Sequence, residues 1–128
     1  MANANRTKGH DAERLYVNRF KEIGYEHCVT SRYGSRLHDD AAIDLINVPI
    51  NVQVKAGKHR GMDYSKVLRD MSERIPNMFP PDAPEIHRSN IIIHKKDVGK
   101  GKKRDKYDEL VIMSFEDYIK YVKKWLAY

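Results

Sequence analysis

One aspartate, one glutamine and one lysine interrupt the otherwise apolar, β-branched stretch Ala42–Ala56, AIDLINVPINVQVKA. Their order is Asp44, then Gln53-Val54-Lys55. Asn47-Val48-Pro49 lies between two β-branched runs and predicts a tight hairpin turn, with Pro49 in the turn and not in a central strand. A two-residue loop sets Asn47 opposite Ile50, and therefore Asp44 opposite Gln53; a three-residue loop moves the pairing by one position. Either register brings Asp44 and Gln53 within roughly 5–8 Å between Cβ atoms. Strand periodicity puts Gln53 and Lys55 on one face and Val52 and Val54 on the other. Ile43 and Leu45, with the two valines, are expected to anchor the strands. Polar groups left unpaired in such strands are costly. A hard cation would resolve the conflict, because Mg²⁺ takes oxygen ligands in near-octahedral geometry and keeps some of its waters. Asp44, the Gln53 side-chain carbonyl and the Val54 backbone carbonyl would be its protein ligands. Lys55 would then stand beside the attacking water and the charge that develops on a phosphate. The plainer reading is an Asp44–Lys55 ion pair at a sheet edge.

The elements needed to position these residues are legible in coarse form. Residues 1–9 read as a loose basic arm. From about His10 to Ile23, Leu15, Tyr16, Phe20 and Ile23 recur at helical spacing, with Asp11 suited to the helix's positive end, Glu13 in its first turn and Gly24 suited to its stop. Tyr25–Ser31 reads as a strand and Arg32–Asp40 as a loop. Tyr64–Ile75 is helical, and residues 76–89, with Pro76, Pro80, Pro81 and Pro84, read as a loop. Asn90–His94 is a buried strand and Tyr107–Met113 another. Ser114 caps a last helix whose apolar stripe is Phe115, Tyr118, Ile119, Val122 and Leu126, and the series Tyr118, Tyr121, Trp125 and Tyr128 reads mainly as core stripe and its fringe. The order α-β-β-β-α-β-β-α predicts a single α/β domain over residues 1–128, with a mixed sheet flanked by helices.

Composition narrows the function. The chain has 128 residues, 41% hydrophobic and 33% charged, which suits one globular core. A single cysteine, Cys28, excludes an internal disulfide and a Cys-rich zinc site, and reads as a small buried apolar residue. No apolar run is long enough to span a bilayer. Met1–Arg6 is polar and does not read as a signal peptide, so the expected setting is cytoplasmic, with no membrane partner. Twenty-four basic against eighteen acidic residues leave a net charge of +6, which favours a polyanion such as DNA. The segment Lys95–Lys106 holds seven cations and two acids. Arg6, Lys8, Arg32, Ser35, Arg36, Lys58, Arg60, Lys102, Lys103 and Arg104 are the expected DNA contacts, with Ser35 touching phosphate. They would give salt-dependent backbone binding. No segment reads as a major-groove recognition helix, so shape is the expected signal. The six histidines show no metal-ligand spacing, and His38-Asp39-Asp40 reads as solvated.

Asp44 … Gln53-Val54-Lys55, preceded by Glu13 on a helix, resembles the core pattern of the PD-(D/E)xK nuclease superfamily. Arg6-Thr7-Lys8-Gly9 … Glu13 and the Ser-containing Tyr33-Gly34-Ser35-Arg36 before the acidic strand are most similar to small archaeal and phage-type Holliday junction resolvases. The likeness is best over residues 6–57. It departs from the pattern at Ile43, where the motif's proline would stand, and at Gln53, where glutamate is commoner. The resemblance implies a restriction-endonuclease-like αβββαβ core. It implies Glu13, Asp44, Gln53 and Lys55 as catalytic residues, and Glu13, Asp44, Gln53 and the Val54 carbonyl around Mg²⁺, with Mn²⁺ able to substitute. The implied activity is endonucleolytic cleavage of branched DNA by a homodimer, with 3′-hydroxyl and 5′-phosphate products. Ile91–Ile93 and the last helix are the candidate dimer surfaces. Another superfamily nuclease, restriction-like or of replication and repair type, is one alternative reading; a non-catalytic DNA-binding module on the same scaffold is the other.

Overall fold

A computed structural model describes residues 4–58 and 61–126, with the side chains of residues 4–6 outside that set. It is an α/β fold built on one mixed five-stranded sheet, order β1-β2-β3-β4-β5. The strands are β1 (Val29–Thr30), β2 (Leu45–Ile46), β3 (Asn51–Ala56), β4 (Asn90–Lys95) and β5 (Glu109–Ile112). Only β3 and β4 run parallel, joined through α4 (Tyr64–Met78) and α5 (Pro84–His87). The other neighbours are antiparallel. Among the described residues no helix is long and apolar enough to cross a membrane.

The first helix, α1, spans Ala4–Glu22, so the expected loose arm is helical from residue 4. Nothing between Ala4 and Lys8 opposes a helix, Gly9 costs only about 1 kcal/mol inside one, and Lys8 is tied to Asp97 at 2.9 Å. Asp11 and Glu13 consequently sit in mid-helix and not at its positive end, and Asp11 pairs with Arg14. The C-terminus of α1 closes as a Schellman motif. Gly24, at φ +118°, donates to the Lys21 carbonyl and Tyr25 donates to that of Phe20. The rings of Tyr25 and Phe20 pack edge-on at 6.2 Å. That closure takes Tyr25 and His27 out of the expected strand, and only Val29–Thr30 remain extended.

The expected loop 32–40 is two short helices, α2 (Ser31–Gly34) and α3 (Arg36–Asp40). Polar sequence gives such helices no periodicity, and what holds α3 is local: Ser35 Oγ accepts from the His38 N–H. Residues 76–89 likewise hold the end of α4 and all of α5. The strand expected over 107–113 begins later, after a 3-10 turn at Lys106–Asp108.

The hairpin keeps the two-residue register, with Leu45 facing Val52. One face of the sheet carries Leu45, Val52, Val54, Ile91 and Ile93, packed against Ala12, Tyr16 and Val17 of α1, with Cys28 in the same cluster. Ile43 packs with Met71 and Ile75 of α4 and with Phe79 in the second cluster. Strand β4 is interior, paired on both edges, so Ile91–Ile93 is core and not a dimer surface. The last helix, α6 (Phe115–Leu126), is capped by Ser114 Oγ, which accepts from the Asp117 N–H at 3.1 Å. None of its residues is buried, so its stripe is not core.

Asn47 fixes the hairpin in two ways: it adopts φ +66° and its side-chain amide donates to the His27 carbonyl at 2.8 Å. Asn47→Ala is expected to cost about 1–2 kcal/mol, and Asn47→Gly clearly less, because glycine keeps the left-handed backbone. Urea denaturation of both variants measures this; equal losses would show that backbone conformation is not the constraint.

Candidate active site

Asp44 stands where β2's chain leaves the sheet. Its N–H donates to the Val52 carbonyl at 2.7 Å, although Val52 faces Leu45. Two residues thus oppose one, a bulge-like step, and beyond it the β2 side of β3 has no strand. The Asp44 carboxylate fills that place: Oδ2 accepts from the Val54 N–H at 2.7 Å. A strand residue's N–H and C=O point to the same side, so the Val54 carbonyl faces the same open edge. Two main-chain bonds brace Asp44 from behind, from Ser31 N–H to its carbonyl at 2.8 Å and from Ile43 N–H to the His38 carbonyl at 2.9 Å. Ser31 is itself buried.

This placement makes Asp44 a poor place for a lone negative charge. Burial pushes its carboxyl up to about 7, against the Val54 hydrogen bond that lowers it. The charge of Glu13 pushes it further up, while Lys55 and Arg32 pull it down. Ionisation of Asp44 in the cation-free chain is therefore disfavoured relative to an exposed aspartate. Glu13 reaches the edge from α1 and is buried. Arg32 of α2 grips it as a fork, Nε to Oε2 at 3.1 Å and Nη2 to Oε1 at 2.9 Å. This pair raises the pKa of Arg32, and His10 also contacts Arg32. Both Glu13 oxygens thus accept from Arg32.

Gln53 and Lys55 lie on the face opposite Val52 and Val54, beside Ile92 and His94 of β4. The expected convergence on one face therefore holds for these two, while Asp44 sits at the edge between them and Glu13. The Gln53 side-chain oxygen is buried and has no hydrogen-bond partner. Lys55 influences Asp44 through space, yet among the described residues no ion pair joins them. The Asp44 carboxylate is bonded to the Val54 N–H, and Gln53 precedes Val54 in β3, so the Asp44, Gln53 and Val54 oxygens come from adjoining positions. That donor set is hard and fits Mg²⁺ or Mn²⁺ better than zinc. Among the described residues no three His, Cys, Asp or Glu side chains gather to hold a metal; this donor set relies on an amide and a main-chain oxygen.

Sequence reasoning missed His94, fully buried beside Lys55. Its Nε2 meets the Gly57 carbonyl at 2.9 Å and its Nδ1 the Tyr64 hydroxyl at 2.5 Å. A carbonyl only accepts, so Nε2 carries the proton and Tyr64 donates to Nδ1. The pair secures the turn that follows Lys55. Its sequence signal is a histidine directly continuing Ile91-Ile92-Ile93. His38 is also not solvated: Nδ1 bonds Ser35 Oγ at 2.6 Å and Nε2 bonds Glu85 at 3.1 Å. Ser35 Oγ is thus bonded within the chain, to His38.

The predicted DNA contacts divide. Lys8, Lys58 and Lys95 all act on Asp97 and lower its pKa, the hydrogen bond from Lys8 most strongly, and Asp97 donates its N–H to Gly57. They form a basic cluster just past the Lys55 end of β3. Arg32 belongs to the edge site. Arg36, Lys58, Lys102 and Lys103 are exposed. Arg36 lies 3.8 Å from Asp40, and Arg104 donates to the Asp108 carbonyl. Arg60 and the Arg6 side chain lie outside the described residues. Compared with protein-family models, with curated proteins and with solved structures, the chain matches none.

Gln53→Leu removes an unpaired buried oxygen, so in EDTA it is expected to stabilise the protein by about 1 kcal/mol. It should also abolish any rise in urea midpoint on adding millimolar Mg²⁺. A Mg²⁺ response identical in both proteins would show that Gln53 holds no cation. The Asp44 carboxyl titrates near 7 in the fold against about 4 unfolded. Its contribution to stability is complete below pH 4 and is lost as pH rises to 7. In EDTA, Asp44→Asn should therefore gain on the wild type between pH 4.5 and pH 8, by on the order of a few kcal/mol. Parallel pH–stability curves would contradict the buried, raised carboxyl.

Proposed function

We propose that the chain is a divalent-cation-dependent phosphodiesterase acting on DNA, with branched duplexes, above all four-way junctions, as its substrates. The observation that carries this reading is the buried, unpaired Gln53 oxygen, one residue from the Val54 N–H that holds the Asp44 carboxylate. The sequence of α1, β1, β2, β3, α4 and β4 supports reading the scaffold as a restriction-endonuclease-like core, as the resemblance implies.

Asp44, the Gln53 oxygen and the Val54 carbonyl would hold Mg²⁺ or Mn²⁺. Such an ion, when bound, makes water more acidic and draws charge from a phosphate oxygen. Lys55 is the one cation on the Gln53 face of β3. It would orient the attacking water and offset the charge gathering on the phosphoryl oxygens. Attack in line with the leaving oxygen would give a 3′-hydroxyl and a 5′-phosphate, as the resemblance implies. Lys8, Lys58 and Lys95 beside the end of β3, with the exposed lysines beyond β4, suit a phosphate backbone read without base contacts. Paired incisions on a junction call for two copies related by a two-fold axis.

A second reading, a DNA-binding module without catalysis, is favoured by the Glu13–Arg32 fork. It satisfies that carboxylate internally and leaves Asp44 as the site's only other acid. A labelled four-way junction and a linear duplex, each with and without Mg²⁺, separate the two. Nicking of the junction is expected with wild type, with a loss on the order of 10²–10³-fold in Asp44→Asn and Lys55→Ala. Junction affinity in both variants should stay near the wild-type value and fall steeply with salt. Salt-dependent binding without product in Mg²⁺ or Mn²⁺ would establish the second reading; full cleavage by either variant would overturn the mechanism.

A further inference from the structure

We infer that α6 is a self-association element that pairs antiparallel with α6 of a second copy of this chain. Phe115, Tyr118, Val122 and Trp125 recur at alternating spacings of three and four, the seam of a helix pair. Ile119 and Leu126 widen it. In the single chain much of this stripe is wet: Phe115 is 75% exposed, Tyr118 44%, Trp125 66% and Leu126 83%, while Ile119 and Val122 are half-buried. Surface of that kind, continuous along one helix, marks an interaction site.

The charges choose the occupant. Glu116 and Asp117 lie in the first turn, Lys123 and Lys124 in the last, and Lys120 between them pairs with Asp117 at 3.2 Å. An antiparallel two-fold pairing that sets Ile119 across from Val122 brings Asp117 of each copy beside Lys124 of the other. It also opposes the two helix dipoles. A parallel pair would set like charges together, and an anionic membrane would attract only the lysine end. A second copy matches both ends, and the contact closes as a two-fold dimer. A twelve-residue helix is about 18 Å long. It covers well under the ~800 Å² per partner of a standard interface, so a micromolar dimer is the expected strength. The inference rests on α6 alone: it needs neither cation nor DNA, so its failure and that of the nuclease reading are separable.

Sedimentation velocity of the full chain from about 1 to 300 µM, without DNA, tests it. A monomer–dimer equilibrium is expected, weakened at least about tenfold by Trp125→Glu. Glu116→Lys with Asp117→Lys, and Lys123→Glu with Lys124→Glu, should each self-associate about tenfold more weakly, and an equimolar mixture should recover at least the wild-type affinity. These charge variants leave the seam intact and keep the test open if Trp125→Glu misfolds. A wild type monomeric throughout, a dimer indifferent to Trp125→Glu, or charge variants that self-associate as tightly as wild type would each overturn the proposal. So would a monomer that co-sediments with phosphatidylserine vesicles.

Discussion

The site depends on a strand that stops short. β3 continues past the point where β2's chain leaves the sheet, and the Val54 N–H then faces no carbonyl. An unpaired main-chain donor in this partly buried place would cost a few kcal/mol. Asp44 removes that cost with its side chain and creates another, because its carboxylate is taken out of water to do so. The raised pKa is the outcome of those two demands. The open edge also leaves the Val54 carbonyl free of a ladder partner, so the same feature that fixes the acid exposes a second oxygen beside it.

Glu13 and Arg32 moderate this edge from the α1 side. Two carboxylates close together would each hinder the other's ionisation. Arg32 makes both hydrogen bonds to Glu13 and also pulls the Asp44 carboxyl down. What remains toward β3 is one acid of variable charge, one neutral amide oxygen and one lysine. On the proposed reading Gln53 brings no charge, so binding of a divalent ion would depend on Asp44 ionising, which would couple cation affinity to proton loss.

The hairpin was legible because its signals agree: β-branched runs flank Asn47-Val48-Pro49, and of the two registers these allow the structure takes the two-residue one, with Leu45 facing Val52. Gly24, Ser114 and the apolar run before His94 were legible for the same local reason. What escaped depends on distant partners. Helix at residues 4–9 is secured by Asp97, far along the chain. His38 is drawn inward by Glu85, and Arg32 by Glu13. The apolar stripe of α6 was legible as a stripe, but periodicity does not say what covers it. The bulge-like step at Asp44 was not legible either, since the alternation continues through it.

The rest of the polar interior sharpens the case for the edge. Asn51 is buried and its amide has two acceptors, the Glu85 carbonyl and Asn90 Oδ1. Ser31, His94 and Glu13 are buried and each is bonded. Among the described residues the Gln53 oxygen alone is both buried and unpaired, and it lies one residue from the main-chain N–H that holds the raised carboxyl. The described fold satisfies its other buried polar side chains and leaves these two costs at neighbouring positions, where one ligand could offset both. On the proposed reading a divalent cation would do so in one step: it would supply the partner that the amide oxygen lacks and a charge that favours ionised Asp44.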